Sequence, residues 1–140
     1  MRPHLSRLFA VLLAVLPAPA LAELTLLMVE ERGCVWCARW DREISEIYPK
    51  TPEGRAAPLR RVDIHAPLPD GVAVSRPLVF TPTFVLLDDG SEVGRIEGYP
   101  GEDFFWGLLG RMLNDHLGAL SEIHTGNHTG GKNLFPLTSG

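Results

Sequence analysis

Gly33-Cys34-Val35-Trp36-Cys37-Ala38-Arg39-Trp40 holds both cysteines of a chain of 140 residues, and their spacing decides how the rest is read. A bridge across two residues is a poor structural clip, because a disulfide stabilises chiefly by closing a long loop in the unfolded chain. A zinc site calls for about four ligands, and the sequence offers no second cysteine pair. The spacing suits redox chemistry instead, in which one thiolate attacks and a nearby thiol resolves the mixed disulfide. On the first turn of a helix the leading cysteine meets unpaired N–H groups and the positive end of the helix dipole, both of which favour a thiolate. Cys34 is thus the candidate nucleophile and Cys37 the candidate resolving thiol.

Outward from this stretch the elements follow. Leu24, Leu26, Leu27, Met28 and Val29 form a nearly continuous apolar run before Gly33, the pattern of a strand buried on both faces. After the glycine, Cys37, Trp40, Ile44, Ile47 and Tyr48 recur at helical spacing, which predicts a helix over 34–48 ended by Pro49. Arg39 with Glu43, and Arg42 with Glu46, stand four apart on its polar side. Residues 51–58 read as a polar loop and Leu59 to Ile64 as a short strand. The stretch from His65 to Phe80 carries Pro67, Pro69, Gly71 and Pro77 and reads as loop with room for one helical turn. Thr83 to Leu87 and Ser91 to Glu97 read as a hairpin around Asp88-Asp89-Gly90. Gly98-Tyr99-Pro100-Gly101 leads into a last helix. Glu102 and Asp103 favour its first turn, Phe105, Leu108, Leu109, Met112, Leu113, His116 and Leu117 are expected to line one face, and Gly118 is its expected C-terminal cap. This order predicts an α/β sandwich with helices packed on a small mixed sheet.

The N-terminus follows another pattern. Arg2 and Arg7 precede the apolar run from Leu8 to Leu16, and Ala20-Leu21-Ala22 follows Pro17. A basic start, a short apolar core and a small-residue site predict a secretory signal peptide over 1–22, cleaved before Glu23. The apolar run is too short to span about 30 Å of hydrocarbon, so the mature chain is not expected to cross the membrane. Residues 23–118 form the expected domain. Residues 119–140, rich in Gly, Thr, Asn and His, read as a flexible tail. A formal net charge of −4 argues against a nucleic-acid partner.

Gly33 to Trp40, then Thr81-Pro82-Thr83-Phe84, then Gly98-Tyr99, resemble the thioredoxin superfamily over about residues 23–118. The resemblance implies a three-layer sandwich with helices on both faces of the sheet. It implies that Cys34 and Cys37 are the redox pair and that Pro82 follows a cis bond. Thr81 and Pro82 would then present backbone to an extended substrate peptide. The pattern also resembles exported members of the superfamily encoded with bacterial sulfur-oxidation (Sox) genes. There are departures. Met28 stands where thioredoxins proper carry a buried acid, Gly33 where they carry Trp, and Val35-Trp36 where they carry Gly-Pro. The proton acceptor for Cys37 is thereby left open between Glu30 and Glu31, both of which also read as solvated acids.

Taken with the resemblance, these readings imply a periplasmic protein-disulfide oxidoreductase, expected to be a reductase or isomerase with no cofactor beyond its own thiols. Its expected partners are protein disulfides, with a membrane thiol carrier as electron donor. Trp36, between the cysteines, is a candidate partner contact or a core residue, and Trp40 a core residue. His65 reads as a solvated loop histidine. No metal site is expected, since His124 and His128 lie in the tail and His116 stands apart from them. Asn127-His128-Thr129 is a glycosylation sequon expected to be unused. Two alternatives remain. One is a copper carrier using Cys34, Cys37 and Met28 or His65, and the other a dithiol oxidase.

Overall fold

Successive side chains of a strand point to opposite faces of a sheet, and in β1, Leu24–Glu30, both sets are apolar and buried. The computed structural model describes residues 23–126, and side chains as far as residue 120. The expected signal segment, His128 and the sequon fall outside the described residues. β1 pairs in parallel with β2, Leu59–Asp63, and antiparallel with β3, Thr83–Asp88; β3 pairs antiparallel with β4, Ser91–Glu97. The strand order is β2-β1-β3-β4, a mixed sheet whose two central strands are the two apolar runs of the sequence.

On one face, Leu26, Met28, Phe84 and Leu86 meet Trp40, Ile44, Tyr48, Phe105 and Leu109. These come from α1, Val35–Trp40, from the turns that follow it, and from α3, Glu102–Gly126. The rings interlock: Trp40 lies 5.4 Å from Phe84 and 5.8 Å from Phe105, and Phe84 lies 4.9 Å from Phe105, centre to centre. Aromatic pairs at such tilted and edge-on separations stabilise beyond the area they bury.

The opposite face corrects one expectation. Leu27, Val29, Val85 and Leu87 are covered by Val62, Ile64, Leu68, Val72, Val74 and Leu78. Most of these belong to the connection between β2 and β3, which holds no helix. Pro67, Pro69 and Pro77 each lack an N–H and resist the helical register, so this layer is an irregular strap. Ala73 bridges to Ser91 at the outer edge of β4, donating to Gly90 O at 2.8 Å and accepting from Glu92 N at 2.9 Å. The Glu92 carboxylate accepts Ser75 N–H at 2.6 Å. Arg95 donates to Glu92 at 2.6 Å, to Arg76 O at 3.0 Å and to Pro77 O at 3.3 Å. Both side chains of this pair are almost fully enclosed, with 4% and 5% exposure.

Three further expectations change. The helix expected over 34–48 is α-helical only to Trp40; a π-helical turn, Asp41–Ser45, and a 3-10 turn, Tyr48–Lys50, follow. The Ser45 hydroxyl donates to Asp41 O at 2.8 Å, and Pro49 brings no donor, so both ends of this stretch depart from the α ladder. Residues 51–58 are not all loop. Pro52–Ala56 forms a short helix, α2, because the Thr51 hydroxyl accepts Gly54 N–H at 3.0 Å and Pro52 fits a first helical position. Gly54 is required there, since a Cβ would sit 1.9 Å from Tyr48 O. Finally, α3 runs through Gly118 to Gly126 instead of being capped. A glycine costs a helix about 1 kcal/mol relative to alanine, too little to stop one of this length.

Candidate active site

The turn between β1 and α1 builds the site. Gly33 adopts a positive φ of 83°, a conformation cheap only for glycine, and reverses the chain so that Cys34 caps α1. Cys34 and Cys37 form a disulfide with Cα atoms 5.2 Å apart. The Cys37 N–H, one of the groups a helix start leaves unpaired, donates to Cys34 Sγ at 3.1 Å. Cys34 is partly exposed, whereas Cys37 is buried at 4% exposure. A backbone donor aimed at the outer sulfur, with the inner residue shielded, leaves Cys34 the cysteine that a partner can reach.

The Thr81–Pro82 peptide bond is cis. A cleft beside the dithiol is lined by Trp36, Phe80, Thr81, Glu97 and Gly98. Trp36 is 51% exposed and Phe80 57%. Trp36 therefore lies at the surface and not in the core, while Trp40 is fully buried. Val35 and Val79, their neighbours in sequence, are exposed as well.

Around Trp36 runs a charged brace. The Arg39 guanidinium stands 5.8 Å from the Trp36 ring and 5.8 Å from the Tyr99 ring. Arg39 Nε donates to Glu43 at 2.9 Å, and the Tyr99 hydroxyl donates to the other Glu43 oxygen at 2.5 Å. The Tyr99 and Arg39 hydrogen bonds hold the Glu43 carboxyl below its ordinary value; burial, then that carboxylate, raise the Tyr99 phenol above its own.

The two candidate acceptors for the Cys37 proton are both engaged elsewhere. Glu30 pairs with Arg61 at 2.8 Å. Glu31 accepts the Thr81 hydroxyl at 2.9 Å and lies 3.2 Å from His65 Nε2. His65, 78% exposed in its side chain, is a solvated loop histidine as expected, and its ring also reaches Glu31. Met28 is fully buried in the ring-lined core. His116 pairs with Asp88 at 2.7 Å. Among the described residues, no three His, Cys, Asp or Glu side chains gather as metal ligands. The Arg39–Glu43 pair forms as its spacing of four predicts, whereas sequence reasoning missed Phe80, Glu97 and the link from Glu43 to Tyr99.

No protein-family model and no curated protein matches the chain. Among solved structures it is similar to the reduced form of the periplasmic thioredoxin SoxS from Paracoccus pantotrophus. Identity is 58% and the TM-score 0.65, and the match covers 66% of this chain and 97% of that one. No helix among the described residues is long and apolar enough to cross a membrane. With its fold, its dithiol at a helix start and this similarity, the chain belongs to the thioredoxin superfamily, as a protein-disulfide oxidoreductase of the Sox-associated type.

Proposed function

We propose that the protein works in the periplasm as a reductase or isomerase of protein disulfides, with the cysteines of a sulfur-oxidation system as its substrates. The observation that carries this is the partly exposed Cys34, whose sulfur accepts the Cys37 N–H, two residues from Trp36 in the wall of an apolar cleft. In the forward direction the Cys34 thiolate attacks a substrate disulfide. A Cys34–substrate disulfide forms, and the first substrate sulfur leaves as a thiolate that takes up a proton. The Cys37 thiol loses its proton and attacks Cys34 Sγ. The second substrate thiol is released, and the Cys34–Cys37 disulfide now holds the oxidation. Two electrons have passed to the substrate. Trp36, Phe80, Thr81 and Gly98 receive the substrate backbone and its apolar flanks.

Export is supported by the basic and apolar segments before Ala20-Leu21-Ala22, and by the periplasmic setting of the similar SoxS. A reductant there has no cytoplasmic NADPH, so its electrons come from a membrane thiol carrier. Acid-quenched alkylation of the cell envelope, read by intact mass, tests this. The expected species begins at Glu23 and carries two alkyl groups. A chain retaining Met1 defeats the export reading, and an almost wholly oxidised pair makes the protein an oxidase.

The division of labour is tested separately. Cys34→Ser should abolish disulfide reduction. Cys37→Ser should accumulate the mixed disulfide, because nothing remains to resolve it. If alkylation at mildly acidic pH labels Cys37 before Cys34 in the reduced protein, the roles are reversed.

A further inference from the structure

Glu31 touches the site at three points. It follows β1 in the turn that delivers Cys34, and its backbone carbonyl accepts the Cys34 N–H at 3.3 Å. One carboxylate oxygen accepts the Thr81 hydroxyl at 2.9 Å, from a residue fifty positions along the chain. The other lies 3.2 Å from His65 Nε2. One residue thus joins the nucleophile's own amide, the residue before Pro82 and the start of the strap.

We infer that Glu31 is a positioning residue for substrate engagement, acting through the Thr81 hydroxyl. A carboxylate only accepts, so in this contact the Thr81 hydrogen points to Glu31. That fixes the Thr81 rotamer at the wall of the cleft and leaves the Thr81 backbone turned to its task. The Glu31 side chain is 41% exposed, so the contact adds little to global stability. What it sets is orientation at the point where a peptide meets the dithiol. This deepens the proposed function and rests on its reading of Cys34 and Thr81.

Steady-state reduction of insulin disulfides, with dithiothreitol as electron source, tests it. Glu31→Ala should raise KM about fivefold, the size of one hydrogen bond, with kcat and Tm little changed. Glu31→Gln keeps an acceptor oxygen and should restore KM to near the wild-type value. Thr81→Val removes the donor, and adding Glu31→Ala to it should cost nothing further, since the two act through one bond. An unchanged KM in Glu31→Ala, failure of Gln to rescue, or strict additivity of the two variants overturns the inference. A wild-type protein that reduces no disulfide defeats the proposed function itself, whatever the Glu31 variants do.

Discussion

On the helical face of the sheet, Trp40, Tyr48, Phe84 and Phe105 pack ring against ring beneath α1 and α3. On the other face, Leu27, Val29, Val85 and Leu87 pack against aliphatic side chains from β2 and the irregular strap. Each face supplies half of the site. The first seats Cys34 and Cys37; the second ends in Thr81 and Pro82. The dithiol is therefore positioned by dense apolar packing, which is insensitive to pH and salt. The strap that ends in Thr81 and Pro82 is held by its aliphatic side chains and also by hydrogen bonds and charge, chiefly the enclosed Glu92–Arg95 pair that grips Ser75, Arg76 and Pro77. The contrast implies that the two halves fail under different conditions.

The largest effect should come from the rings. Trp40→Ala empties the centre of the aromatic face and should cost about 4 kcal/mol of unfolding free energy in denaturant titration. A loss below about 1 kcal/mol would mean that the rings do not hold that face. The strap should answer to acid. Its Arg95 hydrogen bond, with help from the Ser75 N–H, brings the Glu92 carboxyl down to about 2 from its ordinary 4.5. A carboxyl depressed on folding contributes stability above its unfolded pKa and loses it as pH falls through the folded one. Glu92→Gln should therefore lower Tm at pH 7, by the equivalent of about 2 kcal/mol, with the gap closing between pH 4.5 and pH 2. A gap that stays constant over that window would show that charge does not fasten the strap. In the same assay Arg76→Ala, which removes only the exposed partner of Glu97, should cost no more than about 0.5 kcal/mol.

What the sequence disclosed and what it hid divide along the same line. β1 and β3 were legible because a central strand, buried on both faces, leaves an uninterrupted apolar run. The Cys34–Cys37 pair was legible because spacing, glycine and helix pattern lie within a few residues of one another. The hairpin over 83–97 was legible from its turn residues. The strap was legible as loop from Pro67, Pro69, Gly71 and Pro77, but its packing was not: its aliphatic residues show no period, and its fastening joins Ser75 to Glu92. The Glu31–Thr81 and Glu43–Tyr99 bonds were hidden for the same reason, since partners fifty or more positions apart meet only once the sheet order is known. α2 was missed because five residues are too few to display a helical period, although Thr51-Pro52-Glu53 carried its start signal. The helical layer expected behind the sheet came with the resemblance, and three prolines prevent it.

The bridge from Ala73 to Ser91 bears on how the protein behaves in a crowd. A sheet edge with free N–H and C=O groups is a template on which another chain can add a strand, the first step of many aggregates. Ala73 occupies that template beside Gly90 and Glu92 at the outer edge of β4. The remaining edge, β2, has no strand beyond it among the described residues, and three of its five side chains are Arg60, Arg61 and Asp63. Like charges brought into register there would repel, so one edge is sheathed by the chain itself and the other is guarded by charge against stacking into fibrils.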